Sequence, residues 1–343
     1  MAPQPRADRP SPSQRSLQPG RALEEFARRI AARPALRRLD AAAVEAFDAF
    51  DAAGVDALLL KGPALARALY APTEHRGYTD VDVVVAPRDF ESTRQILRAL
   101  GYINLPERLG IDEIGRSLDA ETWARVARGG DAGLMIDLHR QIAGSEGPPE
   151  AAWEALRVRR SWIELEGRRI PTLNPEGLAL HVALHAAQHG ARYPQPMEDL
   201  AKALERWPLE VWQRAARLAR ELHATAAFAA GLRQLPQGVA LARRLCLPAT
   251  DELQWMIAHR DKRPRGTFHL HAFSQAATLS ERASVVRRSL LPTSKWIAWQ
   301  YPWASDHGVR LIGGYMVHLV RTPVWAARAW RFRRRAQRAG FLP

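Results

Sequence analysis

Apolar positions recur at helical spacing from Ala22 to about Ala53, where Leu23, Phe26, Ile30, Leu36, Val44, Phe47 and Phe50 form one set. Pro34 lies inside this stretch and is expected to divide it into two helices, because proline lacks the N–H and crowds the preceding turn. The pattern then shortens. Ala57 to Leu60 is a compact apolar run that predicts a buried strand, ended by Lys61-Gly62-Pro63. Pro63 opens a helix to Tyr70, where a missing N–H does no harm. Val81 to Val85 is β-branched and predicts a second strand, with Asp80 and Asp82 at its start. Pro87 begins a helix that reaches Leu100 and stops at Gly101.

Thr122 to Ala127 and Leu134 to Arg140 predict a β-hairpin around Gly129-Gly130-Asp131. A smaller hairpin is expected at Trp162–Leu165 and Arg169–Leu173, turning at Glu166-Gly167. From Asn174-Pro175-Glu176, a helix start with a cap, a first-turn proline and an early acid, the remainder reads as helices. The fold class is therefore α+β, a sheet with flanking helices followed by a helical C-terminal region. The expected division is a basic disordered tail over 1–20, a catalytic α/β domain over 21–150, a hairpin connection over 151–173, a helical acceptor-binding region over 174–320 and a basic C-terminal helix or tail over 321–343.

Composition narrows the function classes. No uninterrupted apolar run among the 343 residues approaches a membrane-spanning length, and the first residues lack the apolar core of a secretory signal. Cys246 is the one cysteine, which excludes a disulfide framework within the chain, disfavours a thiolate metal cage and suits a reducing, cytoplasmic setting. The formal net charge of +14 points to a polyanionic partner such as a nucleotide, a nucleic acid or a membrane surface. The excess gathers at the two ends; the last stretch, Pro323 to Arg338, mixes Val324, Trp325, Trp330 and Phe332 with arginines and reads as a basic surface helix, with an anionic membrane or an RNA backbone as the alternative readings. The late tryptophans (Trp255, Trp296, Trp299, Trp303, Trp325, Trp330) are expected to fill helix–helix contacts.

The chemistry centres on Tyr78-Thr79-Asp80-Val81-Asp82-Val83-Val84-Val85. Residues two apart on a strand share a face, so Asp80 and Asp82 project together, and paired carboxylates repel unless a cation or a proton lies between them. Mg²⁺, a hard cation that prefers carboxylate oxygens and substrate phosphates, suits such a pair. Asp137, within Leu134-Met135-Ile136-Asp137-Leu138-His139, is an acid in an apolar strand and needs a partner. Adjacent strands would bring three carboxylates together for in-line phosphoryl transfer. Upstream, the Gly62 turn offers backbone N–H groups and close approach to a phosphate, with Lys61 and Arg76 as cations for a triphosphate.

Leu59-Leu60-Lys61-Gly62, Leu69-Tyr70, Arg76 and Asp80-Val81-Asp82 together resemble the motif pattern of an uncharacterised bacterial nucleotidyltransferase-like family. That family belongs to the DNA polymerase β-type nucleotidyltransferase superfamily. Ile136-Asp137-Leu138-His139, the helix of His185, and Asp199 extend the likeness, which covers roughly residues 20–205. The resemblance implies the mixed sheet of that fold and transfer of a nucleoside monophosphate from a nucleoside triphosphate such as ATP. It implies Asp80 and Asp82 as metal-binding, Asp137 as the third carboxylate and Gly62 near the phosphates, with Mg²⁺ (or Mn²⁺) as cofactor. Gly62-Pro63 departs from the superfamily's Gly-Ser and lacks one amide donor and a hydroxyl, so triphosphate binding falls more on Lys61 and Arg76. The acceptor is expected to be a small molecule or a peptide rather than nucleic acid. Two other readings stand beside this one: an idle nucleotide- or RNA-binding protein, and kinase-like transfer of the terminal phosphate. Neither acceptor nor oligomeric state is legible.

His181, His185 and His189 share a helix face at four-residue spacing, but the glutamate of an H-E-x-x-H zinc motif is missing. His139 and His185 are candidates to reach nucleotide or acceptor. Asp199, in Glu198-Asp199-Leu200, is expected near a helix start, where it would complement the dipole, or as an acceptor-side or supporting residue.

Overall fold

The computed structural model describes residues 19–71, 73–108, 120–125, 133–145, 147–190, 193–249, 264–276, 278–301, 303–305 and 307–338. Residues 1–18 of the expected tail and the turn at Gly129-Gly130-Asp131 lie outside them, while Pro19 and Gly20 already belong to the first helix. That helix, α1 (Pro19–Ala52), is continuous. Pro34 does not divide it: proline forfeits one intrahelical bond, and the helix carries on across that loss. Leu39, Ala43, Ala46, Phe47 and Phe50 recur at helical spacing and are buried.

Seven strands form one mixed sheet, in the order β3-β4-β5-β2-β1-β7-β6. They are β1 (Ala57–Leu59), β2 (Val81–Val85), β3 (Ile103–Asn104), β4 (Ala120–Arg125), β5 (Leu134–His139), β6 (Arg160–Leu165) and β7 (Arg168–Leu173). β1 and β2 sit at the centre, and every residue in them is buried, the Asp82 carboxylate in β2 among them. β2 pairs antiparallel with β1 and parallel with β5, and β4 pairs antiparallel with β5. The β6–β7 hairpin extends this same sheet, because β7 runs parallel to β1. Its turn places Glu166 and Gly167 at φ 47° and 79°, the paired left-handed conformation that suits a two-residue hairpin.

Helices α2 (Pro63–Leu69), α3 (Phe90–Ala99), α4 (Leu105–Arg108) and α5 (Pro149–Arg157) connect or flank the strands. The sequence pattern had not singled out β3, α4 or α5. The helical part begins with α6 (Pro175–His189), capped by Asn174, whose side chain accepts from the Gly177 N–H at 3.1 Å. α6 is apolar nearly all round and is enclosed by α7 (Pro194–Arg206), α8 (Leu209–Glu221) and α9 (Thr225–Leu232). Gly231 lets α9 approach closely, since a Cβ there would lie 1.8 Å from the Ala183 carbonyl oxygen. One hydrophobic core runs from Leu39 to Leu247 across sheet and helices.

After α10 (Pro236–Arg244) come α11 (Thr267–Gln275), α12 (Leu279–Leu290), α13 (Ser294–Gln300) and the long α14 (Gly308–Arg338). A second, smaller core joins Ile297, Tyr301 and Ala304 to Trp296, Leu311, Tyr315 and Trp325. Trp296 and Trp325 thus pack as expected, whereas Trp303 and Trp330 are exposed. No helix among the described residues is long and apolar enough to cross a membrane.

Candidate active site

The ladder between β2 and β5 sets the site. Its register places Asp82 beside Asp137 and Val84 beside His139. Residues in register on neighbouring strands point the same way, and alternation along β5 brings His139 to the face of Asp137. One ligand atom from each of Asp82, Asp137 and His139 lies within 4.8 Å of the others. Just past β1, the Leu60 N–H donates to the Asp82 carbonyl at 2.9 Å, which holds Lys61 against the same strand. Lys61 Nζ then reaches Asp82 Oδ1 at 2.8 Å, and His139 Nε2 lies 3.1 Å from that oxygen. Asp82 Oδ2 is buried and has no partner among the described residues. Asp80 stands before β2 at the half-buried rim. It is outside the close group of ligand atoms, yet near enough to couple electrostatically to Asp82, Lys61 and Asp137. The close group is thus two carboxylates and an imidazole, with the third carboxylate at the edge.

Burial and the Asp82 charge push the Asp80 carboxyl up to about 6, and the same two causes raise Asp137. Asp82 goes the other way. Burial alone would raise it, but Lys61 and His139 hold it well below the usual carboxylate range. Burial alone would also lower Lys61, and the surrounding carboxylates, Asp82 first, outweigh that and raise it. Three acids thus crowd one end of the sheet against a single lysine. A buried carboxylate oxygen without a partner, beside a second carboxylate, is costly unless a cation satisfies it. The oxygen donors of Asp82 and Asp137, with the His139 imidazole beside them, fit a divalent ion such as Mg²⁺ or Mn²⁺.

Arg76, expected as a phosphate-facing cation, and Asp199, expected as a dipole-complementing acid or as an acceptor-side or supporting residue, meet each other. Asp199 is not at a helix start: α7 begins at Pro194, and the carboxylate turns inward from the second turn. Arg76 Nε and Nη2 donate to Asp199 Oδ1 and Oδ2 at 2.8 and 2.7 Å, with side chains 3% and 1% exposed. Tyr70 Oη and Gln195 Nε2 donate to Asp199 Oδ1 at 2.8 and 3.2 Å. The remaining Arg76 nitrogen, Nη1, donates to the Gly62 carbonyl at 3.2 Å. Gly62 has φ 59° and ψ −112°, a conformation side chains strain to adopt, and a Cβ there would lie 3.2 Å from the Asp80 carbonyl oxygen. The network therefore ties the turn after β1 to the helical layer. Tyr70 stands in the motif run; Gln195 carries no sequence signal.

On α6, His181 and His185 stack at 6.1 Å between ring centroids, and His185 meets His189 edge-on at 4.6 Å. Burial pushes the His181 imidazole down to about 3, with Lys61 acting in the same sense, and burial takes His185 well below its ordinary value. Both are neutral at physiological pH. Neither ring nitrogen of His181 has a hydrogen-bond partner among the described residues, nor has His185 Nδ1.

Among solved structures the chain is similar to the antibiotic-resistance factor ANT(2'')-Ia, with 15% identity and a TM-score of 0.37, over 52% of this chain and 90% of that one. It is also similar to a nucleotidyltransferase-like protein from Paracoccidioides brasiliensis, with 15% identity and a TM-score of 0.34, over 54% and 92% of the two chains. None of the curated proteins matches. The family described as uncharacterised nucleotidyltransferases matches residues 14–237, well over half of the chain, and the protein, with its mixed sheet and its acidic cluster, belongs to that family.

Proposed function

We propose that the protein transfers a nucleoside monophosphate from a nucleoside triphosphate, ATP among them, to a hydroxyl of a small-molecule or peptide acceptor in the cytoplasm. The observation that carries the reading is the buried Asp82 carboxylate, whose Oδ2 is unpartnered beside Asp137 and His139. Asp82 and Asp137, with Asp80 at the rim, would hold Mg²⁺ or Mn²⁺, and His139 would orient Asp82. Bound there, the cation supplies charge neutralisation for the triphosphate and lowers the pKa of the acceptor hydroxyl.

The chain's own groups divide the remaining work. Asp137, its pKa raised by burial and by Asp82, takes the proton as the acceptor oxygen bonds to the α-phosphorus. The bond from that phosphorus to the bridging oxygen breaks, and pyrophosphate leaves. Lys61, paired with Asp82 Oδ1, would face the same phosphates. Arg76 serves the nucleotide subsite by fixing the Gly62 carbonyl and with it the turn at which the phosphates lie. The neutral His181 and His185, near Lys61 and Asp82, offer ring nitrogens to a polar acceptor. An idle, binding-only reading draws on one observation, the Lys61 ammonium that already neutralises Asp82; it engages only Oδ1 and leaves Oδ2 open.

The test is incubation with Mg²⁺, candidate acceptors and either α- or γ-labelled nucleotide. Label should move from the α position, and Asp82→Asn should lower turnover by roughly a thousandfold, the scale of losing a group that stabilises transition-state charge. Transfer from the γ position would establish kinase chemistry instead. Retained turnover in the asparagine variant would remove Asp82 from the mechanism.

A further inference from the structure

The outer face of α14 is at odds with an ordinary surface helix. Val309, Ile312, Met316, Val320, Val324 and Trp330 are between 50% and 84% exposed. They follow one another at helical spacing, so they form a single stripe along the outward side. The inward side is accounted for: Tyr315 Oη donates to the Pro292 carbonyl at 2.6 Å, and His318 Nε2 to the Ser289 carbonyl at 2.8 Å. Trp325 and Leu311 pack on the small C-terminal core. Rotating the helix to hide the stripe would break those contacts.

The charge along the same helix is one-sided. Between Gly308 and Arg338 there are eight arginines and no aspartate or glutamate. Arg310, Arg321 and Arg328 flank the stripe, and Arg331, Arg334 and Arg338 continue it past Trp330; all six are exposed. The occupant of such a face must be apolar in its interior and negatively charged at its surface. Two copies of this face would repel each other. An RNA backbone would match the arginines, but bases stack on aromatic rings, and the stripe is aliphatic apart from Trp330. An anionic bilayer meets both requirements. The helix also lies beyond residues 14–237, outside the part shared with the family.

We propose that α14 seats the protein on an anionic phospholipid surface, its aliphatic stripe in the headgroup–acyl boundary and its arginines on lipid phosphates. The full-length chain should float with vesicles of phosphatidylcholine and phosphatidylglycerol in equal parts and remain behind with phosphatidylcholine alone. Arg328→Gln, Arg331→Gln and Arg334→Gln together should weaken vesicle binding by about a hundredfold, at roughly fivefold per arginine. Ile312→Asp, Met316→Asp and Val320→Asp together should abolish it, with circular dichroism and unfolding midpoint unchanged because these side chains are exposed. If the aspartates prevent folding, the glutamine set decides. The proposal is overturned if anionic vesicles do not bind, or if binding survives the aspartates. It also fails if the aspartates instead dissociate a dimer seen in sedimentation velocity, or if the helix retains salt-sensitive RNA and no vesicles. Vesicle binding needs no nucleotide turnover, so it stands or falls apart from the transferase reading.

Discussion

Replacing Asp199 by asparagine keeps the shape of the side chain and removes its charge, leaving the Arg76 guanidinium in a site where the pair is 3% and 1% exposed. Breaking a buried ion pair by deleting one partner costs about 3–5 kcal/mol, because the survivor is an uncompensated charge out of water. At roughly 2–4 °C per kcal/mol for a unit of this size, the unfolding midpoint should fall by about 10 °C. Tyr70→Phe deletes the hydroxyl that donates to the same carboxylate and accepts from Gln195 Nε2, leaves the ion pair in place, and should cost about 2 kcal/mol. The paired change Arg76→Met with Asp199→Leu removes both charges, so much of the stability should return. Turnover should not return with it, because the Gly62 carbonyl has lost the donor at 3.2 Å that fixes its turn. Scanning fluorimetry and label transfer on the three variants measure the two quantities separately. A drop below about 2 °C for Asp199→Asn would show that the pair is not effectively buried. Full turnover in the double variant would show that the network does not shape the nucleotide turn.

Asp80 makes stability depend on pH in a definite sense. Its carboxyl is raised from 3.8 to about 6, so the fold binds its proton more tightly than the unfolded chain does. That contribution is complete below the lower value and is lost as pH rises through the upper one. Asp80→Asn should flatten the midpoint-against-pH curve between about pH 4 and 6, and added Mn²⁺ should stabilise the wild type more as pH passes 6. An equal slope in both proteins would rule the shift out. Gly62→Ala should destabilise by about 1–3 kcal/mol and raise the KM for nucleotide, because its φ of 59° is strained for a side chain; isothermal unfolding and initial rates check both. Gly231→Ala drives a Cβ to within 1.8 Å of the Ala183 carbonyl oxygen and should cost about 3 kcal/mol or more, seen as a lowered denaturant midpoint.

Local signals made much of this molecule legible. The β-branched run at Val81–Val85 and the lone acid in Leu134–His139 sufficed to place Asp82 and Asp137 on strands, and their register now sets them side by side. His139 was within reach of the same reasoning, since it lies two residues beyond Asp137 and alternation puts both on one face. What stayed hidden depends on partners far apart in sequence. Arg76 looked like a free cation beside the phosphate turn because nothing near it announces Asp199, 123 positions on. Asp199 could be read from Glu198-Asp199-Leu200 as a helix-start acid or as a supporting residue, and the helix in fact starts five residues earlier, at Pro194. Pro34 misled in the opposite direction: a local rule predicted a break, yet one lost intrahelical bond does not end a helix of 34 residues. The outer stripe of α14 is likewise invisible until burial assigns its opposite side.

The ladder between β2 and β5 also says where this protein can tolerate variation in length. Neighbouring strands lie about 4.8 Å apart whatever chain joins them, so hydrogen-bond registry rather than the intervening polypeptide spaces Asp82 from Asp137. An insertion in the excursion between the two strands would leave that spacing as it is. A slip of one residue in the pairing would turn Asp137 to the far side of the sheet and separate the two acids without altering a single amino acid.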